Sequence, residues 1–236
     1  MKVLITGSTQ GIGKAIAERL SREKNEVIIH CTKDIDKARM IQRETGSSGA
    51  VVADLSNAEE TKQLFFRTGA VDCLILNASV QYKNNWLNIT DEEIEKQLTV
   101  NVVSTLKLIQ AYYPAMKKKG FGRIITIGST NQYRNHPELS LYAATKCAVA
   151  SLVRNIAKQI APFGVTINNV APGAIITPRN QFVYEDETMR KEVEKGIPLG
   201  RFGKPEEIAG IISMLIGKDG TYITGADIVA DGGMRL

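Results

Sequence analysis

Cysteine is scarce in this chain, and the three present, Cys31, Cys73 and Cys147, are odd in number and lack paired spacing. That excludes a disulfide framework and a cysteine-ligated zinc site. All three read as reduced residues in or near a core, and no metal site is expected. Long hydrophobic runs are missing too, since no stretch approaches the ~20 apolar residues of a membrane helix. The opening Met1-Lys2-Val3-Leu4-Ile5-Thr6-Gly7 is too short for a secretory leader and suits a first strand, so a cytoplasmic location is expected. Repeats, low-complexity tracts and linkers are absent, which leaves residues 1–236 for one domain. A net charge of +5 could favour a polyanion, but no nucleic-acid motif accompanies it. The one short cationic run, Lys117-Lys118-Lys119 before Gly120, reads as a helix C-terminus, where cations suit the dipole and glycine stops the helix. Docking of an acidic carrier protein is the other reading of those lysines.

What is present is alternation. Short β-branched runs over 3–6, 27–31, 51–54, 73–76, 123–128, 166–170 and 227–230 predict strands. Runs such as Leu74-Ile75-Leu76 and Ile124-Ile125-Thr126-Ile127 are apolar without a break, as in parallel strands covered on both faces. Between them lie helical stripes: Ile12, Ile16 and Leu20; Leu152, Ile156 and Ile160; Ile208, Ile211, Ile212 and Leu215. Thr90-Asp91-Glu92-Glu93 reads as a capping box. The prediction is a single doubly wound Rossmann-type α/β domain of about seven parallel strands, helices on both faces. Residues 173–204 break the rhythm; their Phe182, Val183, Tyr184 and Met189 suggest a lid.

Gly7-Ser8-Thr9-Gln10-Gly11-Ile12-Gly13 follows the first strand and opens the first helix. Glycines permit a tight turn, and the helix N-terminus offers free N–H groups to a pyrophosphate. The Gly-x3-Gly-x-Gly spacing resembles the short-chain dehydrogenase/reductase family, and further motifs follow in that family's order. They are Asp54-Leu55, Asn77-Ala78-Ser79, Asn101, Ser129, Tyr142-x3-Lys146, Pro172-Gly173, Arg201-x-Gly203-x-Pro205-Glu206-Glu207 and Asp231-Gly232-Gly233. The resemblance spans essentially the whole chain. It implies hydride transfer between a nicotinamide dinucleotide and a carbonyl or alcohol. It places Gly7, Ser8, Gln10, Gly11, Ile12, Gly13, Asp54, Leu55, Asn77, Ala78, Ser79, Pro172, Gly173, Ile175 and Thr177 around the cofactor. One departure stands out: Ser79 replaces the family's usual glycine, as in pteridine-reductase relatives. At the end of the second strand Cys31 occupies the usual acid position, followed by Thr32 and Lys33, which suit a 2′-phosphate. NADP is expected over NAD, although Asp34 either opposes that or caps the next helix.

Tyr142 and Lys146 stand at i and i+4 and share a helix face. An isolated tyrosine has a pKa of ~10; a cation ~4 Å away at an effective dielectric of ~20 contributes ~4 kcal/mol, enough to bring it towards ~7. Tyr142 would then give or take a proton near neutral pH. The resemblance has Lys146 also holding the nicotinamide ribose, Ser129 polarising the substrate carbonyl, and Asn101 holding a water that links Lys146 to solvent. His30 and His136 fall in no matched motif and read as structural. A 3-oxoacyl-carrier-protein reductase-like activity on a small-molecule or carrier-bound carbonyl is the leading expectation. Sugar or polyol dehydrogenases, pteridine reductases and a non-catalytic NADP-binding regulator are alternatives. Substrate choice falls to residues 81–88, 132–141 and the lid. The resemblance also implies a homotetramer through the helices carrying Asn101 and Tyr142, with Leu106, Ile109 and Tyr113 as interface or core.

Overall fold

The computed structural model describes residues 1–236. Seven strands form one all-parallel sheet: β1 (Lys2–Ile5), β2 (Glu26–Cys31), β3 (Gly49–Val52), β4 (Cys73–Leu76), β5 (Gly122–Ile127), β6 (Val165–Pro172) and β7 (Asp227–Ala230), in the order β3-β2-β1-β4-β5-β6-β7. The expected strands are all there. The third sits two residues early, because the Asp54 N–H leaves the ladder and donates to Glu60 Oε2 at 2.8 Å.

The apolar runs fill both faces, as parallel strands require. Val3 and Ile5 point to one side with Cys73, Ile75, Ile125 and Ile127, under α1 (Gly11–Arg22), α2 (Ile35–Thr45) and a late helix, Pro205–Ile216. Leu4, Leu74 and Ile124 point to the other, under α3 (Ala58–Thr68) and two long helices, Ser104–Lys119 and Ser140–Ile160. Between α3 and Ser104 lies α4 (Asp91–Leu98), opened by the expected capping box, in which Glu93 N–H donates to Thr90 Oγ1 and Thr90 N–H to Glu93 Oε2. The long helices are α5 and α6, and Pro205–Ile216 is α9.

Two helical expectations shift. The core face of α6 is Val149, Val153, Ala157 and Ile160, so Leu152 and Ile156 are flank residues only half-buried. Residues 173–204 carry helices α7 (Gln181–Glu185) and α8 (Glu187–Lys195). Asp186 caps α8 by accepting from Met189 N–H. With no buried residue on α8, no apolar stripe advertised it. The lysine run ends α5 as expected, before Gly120 at φ +70°. No helix is long and apolar enough to cross a membrane.

The chain runs outward from β1 to β3, then crosses back to β4 and proceeds the other way. At that switch the connections leaving β1 and β4 diverge and open a crevice at the strands' carboxyl ends, where ligands of such sheets bind.

Candidate active site

The crevice holds a cleft of ≈ 880 Å³. Its cofactor end is built on the β1–α1 turn. Gly7 adopts φ +62°, and a Cβ there would lie 2.9 Å from Ala78 Cα; one on Gly13 would lie 2.4 Å from Gly7 O. Only glycine fits either place. The turn is pinned from behind by buried polar groups. Gly7 N–H donates to His30 Nδ1 at 3.1 Å, and His30 Nε2 donates to Ala53 O at 3.0 Å. Burial pushes the His30 imidazole down to about 4, so it stays neutral, as that donor–acceptor pattern requires. Asn77 Nδ2 donates to Thr6 O and Gly7 O, and Thr6 Oγ1 accepts from the N–H groups of Asn77 and Ala78.

These contacts correct the expected ligand set. Ser8 is fully buried, donating to Ile5 O and accepting from His30 N–H, and does not reach the cleft. Gly13 serves close packing inside the turn and does not line the cleft either. The other expected cofactor residues line it: Gly7, Gln10, Gly11, Ile12, Thr32, Lys33, Asp54, Leu55, Asn77, Ala78, Ser79, Pro172, Gly173, Ile175 and Thr177. Thr9, a variable position inside the glycine turn, and Lys37, which belongs to no spaced motif, join them.

Helix capping supplies a test of fit for a dinucleotide. Asp34, Asn57 and Thr90 cap α2, α3 and α4, yet α1 has no side-chain cap and no acid in its first turn. Its free N–H groups and positive dipole end therefore face the cleft, as a pyrophosphate requires. Asp34 spends its carboxylate on Lys37 N–H, which settles its role as the α2 cap. Lys33 is exposed (81%) and lies 3.8 Å from Asp54 Oδ2. Burial raises the Asp54 carboxyl, but hydrogen bonds from Ser56 and the charges of Lys33 and Lys96 outweigh it and hold the carboxyl below its ordinary value.

At the reacting end, Tyr142, Lys146 and Ser129 line one cleft. Lys146 is buried; its Nζ donates to Ile127 O at 2.7 Å and lies 5.5 Å from the Tyr142 ring centre. Burial alone would raise the Tyr142 phenol. The charges of Lys146 and Arg179, with hydrogen bonds from Ser79 and Arg179, outweigh it and bring the phenol below its ordinary value. Burial in turn lowers Lys146, Tyr142 draws it up, and Arg179 lowers it further.

Ser129 is positioned by the C-terminal segment. Its Oγ accepts from Asn131 N–H, which leaves the hydroxyl proton to donate. Neighbouring Thr130 donates to Asp231 Oδ2 at 2.8 Å, and Gln132 to Asp227 Oδ2 at 2.6 Å. The Asp231-Gly232-Gly233 motif is thus a lock on the serine's turn. The Arg201 motif does similar work nearby. Arg201 grips Glu207 through two N–H groups, and Gly203 hydrogen-bonds to Ala174 and Ile176 of the strand–loop junction.

Asn101 lies one layer behind, in a π-helical turn, Thr99–Val103, between α4 and α5. Its Oδ1 accepts from Val80 N–H; its Nδ2 donates to Val80 O and Thr145 Oγ1. It clamps the loop after β4 to α6 and does not itself line the cleft.

One residue at the centre went unread in the sequence. Arg179, in the short turn Pro178–Asn180, donates through Nη2 to Ser79 O at 2.7 Å and Ser79 Oγ at 3.1 Å; its Nη1 lies 3.5 Å from Tyr142 Oη. Ser79 and Arg179 are 100 residues apart, so no local pattern joins them; the serine in a glycine position was the only trace.

Known proteins resemble this chain along nearly its whole length. The profile of the enoyl-(acyl carrier protein) reductase family matches residues 7–235. Dehydrogenase/reductase SDR family member 4 of Mus musculus is 34% identical over 98% of this chain and 85% of its own length. D-beta-hydroxybutyrate dehydrogenase of Rhizobium meliloti is 32% identical over 98% of this chain and 96% of its own. The crystal structure of a 3-oxoacyl (acyl-carrier-protein) reductase from Agrobacterium tumefaciens with NADP bound superposes with a TM-score of 0.94 at 34% identity, covering 98% of this chain and 93% of that one. The chain belongs to the short-chain dehydrogenase/reductase family of NAD(P)-dependent oxidoreductases.

Proposed function

We propose that this member of the family reduces a ketone to a secondary alcohol with NADPH, and that 3-oxoacyl compounds are its substrate class. The observation that carries the reading is Tyr142, a phenol brought below its ordinary value by two cations and facing a cleft it shares with Ser129 and Lys146. NADPH would be held along the uncapped α1 terminus, by Gly11 and Ile12 among others, and would supply the hydride. Ser129 donates its free hydroxyl proton to the substrate carbonyl and orients it. Tyr142 gives its proton to the oxygen as negative charge develops there. Lys146 stabilises the resulting phenolate, and its ammonium keeps two further protons for a ribose. Asn101 is a positioning residue, holding the Val80 loop against α6. Residues 173–204 act as the lid, with Val183, Val193 and Phe202 lining the cleft from α7, α8 and the loop beyond, while Phe182 and Met189 face outward.

The preference for NADPH rests on Cys31 standing where an acid would repel a phosphate, with Thr32, Lys33 and Lys37 beside it. Titration with NADPH and NADH tests this. Lys33→Ala weakens NADPH by about tenfold, near 1.4 kcal/mol, and leaves NADH unchanged; equal affinities in the unaltered enzyme would overturn the preference. Turnover of 3-oxoacyl substrates tests the chemistry, with an enoyl thioester as control for double-bond reduction. NADPH binding without turnover of any carbonyl would instead mark a regulatory binding protein. The homotetramer remains our reading. Leu106, Tyr113, Leu152 and Ile156 are half-buried apolar residues on α5 and α6 that suit an interface, whereas Ile109 lies in the core. Sedimentation of an active monomer would sink it.

A further inference from the structure

Three cations converge on the substrate end of the cleft without acidic partners. Arg179, Lys83 and Arg134 all line it, and none takes part in an ion pair. Lys83 reaches across to the lid, 4.3 Å from the Phe182 ring centre. The acid lining this end is Glu192, because Asp34 and Asp54 belong to the cofactor end and are already engaged there. A concave site with that imbalance concentrates anions. His136 feels the same field. Burial first and then Lys83 and Arg134 lower its imidazole, against the opposing charge of Glu138.

Of these three, Arg179 is the cation closest to the chemistry. Ser79 seats it with two hydrogen bonds, and its Nη1 stands 3.5 Å from Tyr142 Oη. The reacting oxygen must lie within hydrogen-bond reach of that same Oη. A group one or two carbons from the ketone therefore falls beside the guanidinium. Guanidinium is permanently charged, only donates, and pairs best with a carboxylate.

We infer that Arg179, seated on Ser79, is the carboxylate-recognition residue of the substrate site, and that the substrate is a free oxo acid whose carboxylate lies one or two carbons from the ketone. A thioester in that place is neutral and offers only a carbonyl dipole. The inference rests on the proposed carbonyl reduction and narrows its 3-oxoacyl class to the free acid over the carrier-bound form. The carboxylate is a spectator: the ketone carbon gains a hydride, its oxygen gains the Tyr142 proton, and the hydroxy acid leaves with its carboxylate intact. The serine that departs from the family glycine also acquires a purpose here.

The test is calorimetric binding of butyrate and of butyramide to the enzyme carrying NADP⁺. Butyrate binds at least about tenfold more tightly than butyramide, the scale of one charge-assisted hydrogen bond. Arg179→Gln abolishes that difference. Ser79→Gly keeps the charge but removes its seat, and reduces the preference by about threefold. Arg179→Lys, the fallback should the glutamine variant not fold, reduces it as well. Equal binding of acid and amide by the unaltered enzyme, a preference that survives Arg179→Gln, or one undiminished in Arg179→Lys overturns the inference. Turnover separates it from the reading beneath it. Reduction of neutral pentane-2,4-dione with no preference for acetoacetate sinks the carboxylate site and leaves carbonyl reduction standing. Butyrate binding that depends on Arg179, with no ketone reduced, does the reverse.

Discussion

At the cofactor end of the cleft, Gly7, Ser8, His30 and Asn77 are joined by hydrogen bonds between buried or part-buried atoms, most of them to the backbone. At the substrate end, Arg179 and Lys83 are exposed side chains that reach across from separate loops to Ser79 and Phe182. The first end is a fixed mould, held by groups that cannot relax without leaving a buried polar atom unpaired. The second is an adjustable surface, where each contact is worth little by itself and can be re-formed around a ligand. The difference separates what a family of enzymes shares, a dinucleotide, from what it varies, a substrate.

The largest effect should come where the two ends meet. Tyr142→Phe removes the proton donor and lowers kcat by ~10³-fold, within the range for general acid catalysis, while NADPH titration stays near the unaltered value. In the same enzyme, reduction should fall at alkaline pH as the phenol ionises, at a pH below that of a free tyrosine. A profile without that limb would remove Tyr142 from the reaction.

The mould can be broken by acid. His30 has a folded value of about 4 against an ordinary 6.5, so the unfolded chain binds more protons between those values and stability falls as pH drops through them. The difference is worth about 3 kcal/mol at ~1.4 kcal/mol per unit. It is fully present above pH 6.5 and gone below pH 4. Urea unfolding at pH 7 and pH 4.5 should show it, and His30→Gln should flatten that dependence; an unchanged slope would mean the imidazole is not held neutral. Gly13→Ala presses a methyl group into Gly7 O and Asn77, at a cost of about 2 kcal/mol for overpacking. Its melting point should fall, and its NADPH affinity with it, because the turn itself moves. The smallest effect belongs to the adjustable end. Lys83→Ala removes one exposed cation–π contact, worth ~0.5–1 kcal/mol. It should shift KM for an acidic substrate by a few-fold and leave the melting point and NADPH affinity as they were. A fall in stability comparable to that of Gly13→Ala would erase the contrast between the two ends.

The sheet was legible because parallel strands must be apolar on both faces, so runs such as Leu74-Ile75-Leu76 report their own burial. The glycine turn was legible because backbone geometry admits no other residue at Gly7. Tyr142 and Lys146 were legible because one helical turn brings them together. Other features depended on distance in sequence. Helix α8 has no buried face, so its stripe was invisible. Ser8 and Gly13 belong to the motif yet serve its interior, a distinction that only packing makes. Arg179 meets Ser79 across 100 residues through a side chain whose direction no local pattern sets. By itself the sequence determined whatever is repeated every second residue, every helical turn or every tight bend, since those periods are properties of the backbone. The tertiary structure alone decided which polar groups were spent on holding the mould and which cations were left facing the cleft, because that depends on neighbours brought together only when the sheet closes its order.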